Sequence, residues 1–442
     1  MPCRRLAGAR VKCAGLHRAR VADSRRSVQD PGSAPPVRGR RGVAPRVRVV
    51  LYAKGFPPTE TGGPVEVAYR LAREFVRSDS LELTLVVQTD SEERDVRRML
   101  GDPSGLGVIR LGYFPSPSDL RSVRRVFRAF RTSDLLHFNE FPLRHLGYVL
   151  LAKVTGIRTV FSLHGLLSEE AGTFLGPDYP LRIQSGGREV TVRAPSSLVS
   201  LVVRLYRWMA PHWSAVVANS EAHATRAVDL ENFDPGRIHL IPNGVDVPPQ
   251  PTPPAVDRGG PVRLLFVGKL ERVKGPDLLL SALERLGRQG VSVDLSLAGG
   301  GSLEAELREQ AGRLPGQRVT FHGSIPHDAV LPLYEWADIV VVPSRYESFG
   351  LVVLEAMAAG KPLVATSVGG IPSVVSAGRN AVLVPPEAGA IADGILELIR
   401  APGLRAEMAK ANAIDVAAYS WTEIAPRYVA LYRGLARRSG EN

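Results

Sequence analysis

Two glutamates, Glu347 and Glu355, stand eight positions apart where a strand pattern gives way to a helix pattern. The apolar run 339–343 predicts a strand and 350–359 predicts a helix, so Glu347 lies on the loop before that helix and Glu355 lies inside it. The free N–H groups of a first helical turn bind anions such as a diphosphate. An ionised carboxylate only accepts hydrogen bonds, which suits it to the hydroxyls of sugars on either side of a diphosphate. By itself the pair is also typical of solvent-exposed acids on any loop and helix.

Basic or glycine-rich loops follow several other predicted strands. The segment VGKLERVKG places Gly268, Lys269 and Lys274 after a predicted strand, which brings two ammonium groups to the carboxyl end of a sheet. Similar glycine-rich exits occur at AGGG, which contains Gly300, and at Gly62 and Gly63. Glycine lets backbone N–H groups approach a phosphate closely, although ordinary turns and surface lysines account for the same residue types. In combination these exits favour a ligand that carries phosphate.

Strand and helix patterns alternate along most of the chain, which favours an α/β fold with doubly wound parallel sheets. Apolar, β-branched runs predict strands at 46–53, 83–88, 135–138, 159–163, 215–218 and 239–241, and again at 263–267, 292–298, 318–322, 339–343 and 362–365. We therefore predict two Rossmann-like domains facing across a cleft. The cleft is the expected active site, because parallel sheets bind ligands outside the carboxyl ends of their strands.

This organisation divides the chain into five parts. They are a basic extension at 1–45, an N-terminal domain at 46–246, a proline-rich linker at 247–261, a C-terminal domain at 262–419, and an amphipathic helix at 420–437. We expect the last helix to fold back on the N-terminal domain.

The charge of the chain is unevenly distributed. Of the formal net charge of +12 on 442 residues, the extension at 1–45 carries +9, so the body offers no basic surface for nucleic acid. Both cysteines also lie in the extension, which leaves the body without a thiolate nucleophile, a disulfide or a cysteine–zinc framework. The extension lacks the apolar run of a secretory signal, and no stretch has the length and hydrophobicity of a membrane span. We expect a disordered extension on a cytoplasmic protein.

Several motifs in a fixed order resemble those of retaining family-4 glycosyltransferases with the two-domain GT-B fold. PSRYESFGLVVLEAMAAGKPLVATSVGG is similar to their E-x7-E region, and VGKLERVKG is similar to their donor-diphosphate loop. NSEAHATRAV and IPNGVD resemble their domain-boundary segments, and FHGSIPHDAVLPLYEWAD resembles their nucleotide-base region. The resemblance runs from about Val49 to Leu435, nearly the whole body.

The resemblance implies a role for each matching residue. Glu347 would hold the donor-sugar hydroxyls, Glu355 the ribose, and Lys269 and Lys274 the diphosphate, while His164 matches the active-site histidine of the family. The catalytic residues would be His164, Glu347 and Lys274, and the donor-binding residues Gly62, Gly63, Gly268, Lys269, Lys274, Gly300, Ile325, Gly350, Leu351, Val352 and Glu355. The chain departs from the family at Lys269, where arginine is usual, at Ser373 in place of glutamate, and at Asn380 and Ala381 in place of Asn-Gly.

The implied reaction moves a sugar from a nucleotide-diphosphate donor to the hydroxyl of a glycan, glycolipid or small glycoside. The charge of the departing diphosphate is its main electrostatic problem, and two lysines with a helix N-terminus address it without metal or cofactor. Metal-dependent glycosyltransferases of another fold typically carry an Asp-x-Asp pair, and this sequence contains none. The resemblance implies retention of anomeric configuration. Alternatives are another enzyme on this fold, such as a nucleotide-sugar epimerase, a non-catalytic sugar-nucleotide binding protein, and nucleic-acid binding by the extension.

A basic amphipathic helix is predicted at 119–131, with the sequence DLRSVRRVFRAFR. One face carries Arg121, Arg124, Arg125, Arg128 and Arg131, and an adjoining stripe carries Leu120, Val123, Phe127 and Phe130. Such a helix can lie on an anionic membrane, and it can equally be a solvated face packed on a domain. We expect peripheral contact with anionic lipid at the inner membrane face.

Overall fold

The computed structural model describes residues 46–57, 60, 62–111, 119–140, 146–166, 181–185, 188–192, 196–248, 260–326 and 329–437. The predicted basic extension at 1–45 and positions 249–259 of the predicted linker lie outside these residues. Two parallel sheets organise the described part of the chain, one of seven strands and one of six. The predicted α/β fold class, with two Rossmann-like sheets, is therefore confirmed.

The N-terminal sheet has the strand order β3-β2-β1-β4-β5-β8-β9, with every neighbouring pair parallel. Its central strands are almost continuously apolar because helices cover both faces. The strands are β1 Val47–Lys54, β2 Leu81–Gln88, β3 Gly107–Leu111, β4 Leu135–Phe138, β5 Arg158–Leu163, β8 Ala215–Ala218 and β9 Ile238–Leu240, and an antiparallel hairpin joins β6 Leu181–Ser185 to β7 Arg188–Val192. The helices of this half are α1 Gly63–Arg77, α2 Glu93–Met99, α3 Asp119–Thr132, α4 Leu146–Val154, α5 Ser196–Met209 and α6 Glu221–Glu231.

The C-terminal sheet has the order β12-β11-β10-β13-β14-β15, again fully parallel. Its strands are β10 Val262–Val267, β11 Val293–Ala298, β12 Arg318–Gly323, β13 Ile339–Val342, β14 Leu363–Thr366 and β15 Ala381–Val384. The helices that follow are α7 Pro276–Arg288, α8 Glu304–Gly312, α9 Leu331–Trp336, α10 Leu351–Ala358, α11 Ile371–Val374, α12 Ala388–Arg400, α13 Pro402–Asp415 and α14 Trp421–Arg437.

The chain passes between the two halves twice, and the two connecting segments are hydrogen-bonded to each other. Val245 donates its N–H to the Tyr419 carbonyl at 2.9 Å and accepts from the Trp421 N–H at 3.3 Å. Gly244 lies under the Trp421 indole so closely that a Cβ there would be 2.5 Å from the ring. The glycine of the IPNGVD segment therefore makes room for the start of α14.

Helix α14 packs on the N-terminal half, against α1 and the same face of the sheet as Leu51 and Leu135. Inside this contact the Tyr432 hydroxyl lies 2.6 Å from Nδ1 of His137, whose Nε2 lies 2.8 Å from the Ser162 hydroxyl. Burial lowers the pKa of His137 to about 3. A neutral histidine thus joins the last helix to the centre of the first sheet.

Sequence patterns missed strands β3 and β15 and the hairpin of β6 and β7. The first two are only five and four residues long, and β3 lies at the edge of its sheet. Both are edge strands that are only partly buried, whereas the four-residue strands β4, β8 and β13, which were predicted, lie inside their sheets and are buried along their whole length. In the described residues no helix is long and apolar enough to span a membrane.

Candidate active site

Lys274 and Glu347 meet at the carboxyl edge of the C-terminal sheet. The Lys274 Nζ donates to Glu347 Oε2 at 2.6 Å, with the two side chains 32% and 14% exposed. Lys274 ends the 3-10 turn Arg272–Lys274 that follows β10, and Glu347 lies on the loop between β13 and α10. Two residues predicted to serve the same site from segments 73 positions apart are thus in direct contact.

A glycine and an arginine fix the loop that carries Lys274. Gly275 has φ +69°, and a Cβ there would lie 2.1 Å from the Pro343 carbonyl oxygen, so only glycine lets the turn approach the end of β13. Arg345 donates to both carboxylate oxygens of Asp277, at 2.8 and 2.7 Å. Burial raises the pKa of Asp277, but the hydrogen bonds and charge of Arg345 outweigh burial and leave that pKa below its usual value. The clamp therefore joins the Lys274 turn to the Glu347 loop.

The two glycines of the SVGG segment, Gly369 and Gly370, pack against the backbone of Glu347. Gly369 has φ +53°, and a Cβ on it would lie 1.8 Å from the Glu347 carbonyl oxygen. The Gly370 N–H donates to that same oxygen at 2.9 Å. Gly350, with φ +99°, then turns the chain into α10. The backbone of Glu347 is therefore set by three glycines of the quoted motif.

Glu355 lies in the second turn of α10 and accepts a hydrogen bond from the preceding helix, α9. The Tyr334 hydroxyl, on α9, donates to Glu355 Oε2 at 2.8 Å. Burial and then the neighbouring Glu355 raise the pKa of Tyr334 well above its usual value, so the phenol stays a donor. Ile325 and Val352 are partly buried against the same core.

Residues of the N-terminal half reach the Glu347 loop. A Cβ on Gly63, the first residue of α1, would lie 3.2 Å from Leu351 Cδ1 at the start of α10. The Ser220 hydroxyl, which caps α6, donates to the Ser348 carbonyl at 3.3 Å. Gly62 precedes α1 with φ +135° and open space beside it. The starts of α1 and α10 therefore adjoin, which places two sets of free helical N–H groups beside the Lys274–Glu347 pair.

His164 follows β5 at the carboxyl edge of the N-terminal sheet. Its Nε2 lies 3.2 Å from Oδ1 of Asn139, and the Asn139 amide donates to the Pro64 carbonyl at 2.9 Å. Burial, with His223 as a further contribution, lowers the pKa of His164 to about 3. A neutral imidazole is therefore linked through Asn139 to the first turn of α1, next to Gly63.

The remaining predicted residues form the neighbouring loop. Gly268 has φ +151°, and a Cβ on Gly299 would lie 1.9 Å from the Gly268 carbonyl oxygen, so the ends of β10 and β11 touch. The Gly300 carbonyl accepts from the Leu270 N–H at 3.0 Å. Lys269 is exposed, and within the described ranges no ion pair joins it to Glu347. The structure thus brings Lys274, but not Lys269, into contact with Glu347.

Sequence reasoning missed Arg345, Asp277, Asn139 and Tyr334. Their partners are 21 to 75 positions away, so no local spacing signals them. Two departures from the family pattern have structural roles. Ser373 donates to the Gly370 carbonyl at 2.6 Å, and Asn380 donates to Asn412 and Asp415 just before β15.

The predicted amphipathic helix is α3, and its faces differ in part from the expectation. Val123 and Phe127 are 43% and 42% exposed, but Phe130 is buried in the core, because it packs against the sheet. Arg125 is paired with Glu93 at 2.7 Å, so it belongs to the fold's own ion pairs. The side chain of Leu120 lies outside the described residues.

Known families match both halves of the chain. Residues 61–248 match the family described as Glycosyltransferase Family 4, and residues 254–414 match the one described as Glycosyl transferases group 1. The D-inositol 3-phosphate glycosyltransferase 1 of Catenulispora acidiphila is 31% identical, over 75% of this chain and 76% of that protein. The glycogen synthase of Mycobacterium tuberculosis is 30% identical, over 70% of each chain.

Solved structures match across both halves together. Anabaena Alr3699/HepE in complex with UDP and glucose has a TM-score of 0.65 at 21% identity, covering 87% of this chain and 99% of that one. WaaG, a glycosyltransferase involved in lipopolysaccharide biosynthesis, has a TM-score of 0.61 at 16% identity, covering 88% and 100%. At such identities the likeness establishes the fold, which is of the GT-B type.

Proposed function

The chain belongs to glycosyltransferase family 4, and on that premise we propose that it transfers a sugar from a nucleotide-diphosphate donor, bound between its two halves, to an acceptor hydroxyl. The observation that carries the proposal is the Lys274–Glu347 contact at 2.6 Å beside the adjoining starts of α1 and α10. One structural neighbour is described in complex with UDP-glucose, which supports a donor of this class.

The chemistry we assign to the site is stabilisation of the departing diphosphate. Lys274 and the free N–H groups of α1 and α10 supply positive potential where negative charge develops. Glu347 accepts from donor-sugar hydroxyls and Glu355 from the ribose, since both are carboxylates on the loop and helix around that anion site. In the structure Lys274 and Glu347 neutralise each other, so we propose that donor binding moves the Lys274 ammonium onto the diphosphate. Gly268, Gly300, Ile325 and the exposed Lys269 would line the nucleotide side of the site.

We further propose that transfer retains the anomeric configuration and uses neither a metal nor an organic cofactor. Retention follows the family, and the lysine with two helix starts gives the leaving group its counter-charge. His164, neutral and next to α1, would contact the transferred sugar. We place the acceptor, a glycan, glycolipid or small glycoside, at the carboxyl edge of the N-terminal sheet.

Paired substitutions test the assignment. We expect Lys274→Ala and Glu347→Gln each to lower turnover by about 100-fold or more, because both residues contact the reacting groups. Lys410→Ala and Glu309→Gln, exposed residues on α13 and α8, serve as matched controls with unchanged turnover. The readout is release of nucleoside diphosphate from a panel of nucleotide sugars, with Tm measured on each protein. Unchanged turnover in Lys274→Ala would contradict the diphosphate assignment.

We also propose peripheral contact with anionic lipid, on the cytoplasmic side, through the layer formed by α3, α4 and α5. These helices pack on one face of the sheet and contact each other. The ring centroids of Phe130 on α3 and Tyr148 on α4 are 5.6 Å apart. The Lys153 Nζ on α4 lies 5.0 Å from the ring centroid of Trp208 on α5. Asp119 is the single acidic residue in their sequences. Among the side chains that the structure describes in these helices, the exposed large apolar ones are Val123, Phe127, Val154, Leu201 and Trp208. The exposed basic ones are Arg121, Arg124, Arg125, Arg128, Arg131, Arg204 and Arg207.

Basic and apolar side chains on one layer are the composition of an interfacial surface, where each basic residue near anionic lipid contributes about 1 kcal/mol. We expect the chain without its extension at 1–45, whose +9 charge would itself bind anionic lipid, to sediment with anionic but not neutral vesicles, and to be released by high salt. The triple variant Arg121→Ser, Arg124→Ser, Arg128→Ser should lose this binding, while Arg308→Ser on α8 with Arg313→Ser just after that helix should keep it. Equal binding to both vesicle types, or undiminished binding by the triple variant, would contradict the proposal.

A further inference from the structure

Asn139 stands between the candidate histidine and the start of α1. It follows β4 directly and is 1% exposed. Its amide nitrogen donates to the Pro64 carbonyl at 2.9 Å, and its Oδ1 lies 3.2 Å from Nε2 of His164. One buried amide therefore touches both the first turn of a helix at the cleft and the imidazole beside it.

These two contacts determine the tautomer of His164. A carbonyl oxygen only accepts hydrogen bonds, so the Asn139 group facing Pro64 must be the amide NH2, and the group facing His164 must be Oδ1. Oδ1 also only accepts, so Nε2 of His164 carries the proton and donates it. In a neutral imidazole the other nitrogen, Nδ1, is then a bare lone pair. The hydrogen-bond chain thus leaves His164 with an acceptor atom rather than a second donor.

We propose that Asn139 is a positioning residue that holds His164 as the neutral Nε2–H tautomer, so that Nδ1 accepts a hydrogen bond from a hydroxyl of the transferred sugar or the acceptor. The inference rests on the proposed place of His164 in the glycosyl-transfer site. A hydroxyl that donates to Nδ1 keeps its oxygen available to other donors and is held in one orientation. An imidazolium would instead present an N–H there and repel the Lys274 ammonium.

The neighbours of His164 are consistent with a neutral ring. Two titratable groups interact electrostatically with His164: His223, on α6, lowers its pKa, and His164 in turn lowers the pKa of His137, on β4. His223 is itself buried, with Nδ1 2.9 Å from Oδ1 of Asn219, and His137 is bound to Ser162 and Tyr432. The pairing of Leu163 with Ala218 places Asn219 beside His164 at the next position of the sheet edge. The ring therefore lies among uncharged polar partners.

Asn139→Asp tests the inference through a pH profile. The carboxylate still accepts from Nε2–H but adds a negative charge, which favours the imidazolium and raises the pKa of His164. A nearby opposite charge raises a pKa by about 1–3 units. We therefore expect kcat of the variant to fall as the pH is lowered from 7 to 5, by about two- to tenfold at pH 5, whereas the parent enzyme stays level over the same range. Asn232→Asp, the same change at the exposed end of α6, is the matched control and should keep the parent profile. A profile for Asn139→Asp parallel to that of the parent overturns the inference.

A second measurement needs no change at Asn139. In the full chain labelled with 15N-histidine, the His164 signals, assigned by their loss in His164→Gln, should show a protonated Nε2 and an unprotonated Nδ1 at neutral pH. A protonated Nδ1 overturns the inference. Full turnover in His164→Gln would instead overturn the proposed role of His164 itself, and an inactive His164→Gln with a parental profile in Asn139→Asp would overturn only the role of Asn139.

Discussion

Arg345→Leu tests whether the turn carrying Lys274 must be clamped to the Glu347 loop. Arg345 donates to both oxygens of Asp277, at 2.8 and 2.7 Å, and to the Arg272 carbonyl at 2.7 Å. The substitution removes all three bonds and leaves Asp277, whose side chain is 17% exposed, with the more distant guanidinium of Arg272 at 3.9 Å. The perturbation is therefore local to the turn before α7 and leaves the Lys274 side chain itself intact.

The size of the effect follows from those bonds. Hydrogen bonds to charged groups contribute about 1.5–3 kcal/mol each when buried. Because 35% of the Arg345 side chain is exposed, solvent screening reduces this contribution. We expect a loss of about 1–2 kcal/mol in unfolding free energy after that reduction. This corresponds to a Tm lower by roughly 2–8 °C, while kcat/KM should fall by more than about tenfold because Lys274 is no longer held beside Glu347.

Arg379→Leu is the matched control. Arg379 makes the same two-pronged contact with Asp415, at 2.7 Å for both bonds, but at the start of β15 and the end of α13. The assay is the initial rate of nucleoside diphosphate release, with Tm by calorimetry on the same samples. We expect the control to retain kcat/KM within about twofold. If Arg345→Leu lowers Tm but keeps kcat/KM at the level of the control, the clamp does not position Lys274 and the reasoning is refuted.

Activity should survive thorough chelation with EDTA, because the leaving-group charge is assigned to Lys274 and helix N–H groups; loss of activity that Mg²⁺ or Mn²⁺ restores would contradict this. Gly369→Ala should abolish activity and destabilise the fold, since its Cβ would lie 1.8 Å from the Glu347 carbonyl oxygen, whereas Gly378→Ala, at φ +75° with open space, should cost only about 1–2 kcal/mol of backbone strain. The buried His137 and His223 and the partly buried His164, with pKa values of about 3, 4 and 3, should make stability fall with acid. Their pKa values in the folded chain lie below the ordinary 6.5, so the unfolded chain takes up protons first as the pH falls. The stability that is present above pH 6.5 is therefore lost between about pH 6.5 and 3. At pH 5 the loss is about 2 kcal/mol per histidine. Urea unfolding at pH 8 and pH 5 measures this, and a smaller difference in His223→Gln than in the parent chain is expected.

Local sequence determined the fold class and the type of chemistry. Buried parallel strands must be apolar along their whole length, so β1, β4, β8 and β13 could be recognised without a structure. Glycine exits, two lysines and two glutamates signalled a phosphate-bearing ligand, because helix starts and glycine loops bind anions through local geometry. The edge strands β3 and β15 escaped recognition because only part of each strand is buried.

Tertiary structure alone decided which of those residues meet. Lys274 and Lys269 look alike in the sequence, but only Lys274 contacts Glu347, because Gly275 and the Arg345 clamp turn its side chain towards that loop. Likewise, the hydrogen bond from the buried Asn139 amide to the start of α1 depends on the order of strands in the N-terminal sheet. The contact of Gly63 with Leu351 depends on the packing of the two halves against each other. Such partners are tens to hundreds of positions apart, and periodicity carries no information about pairs at that separation. The elements are set by local physics, and the active-site geometry by long-range packing.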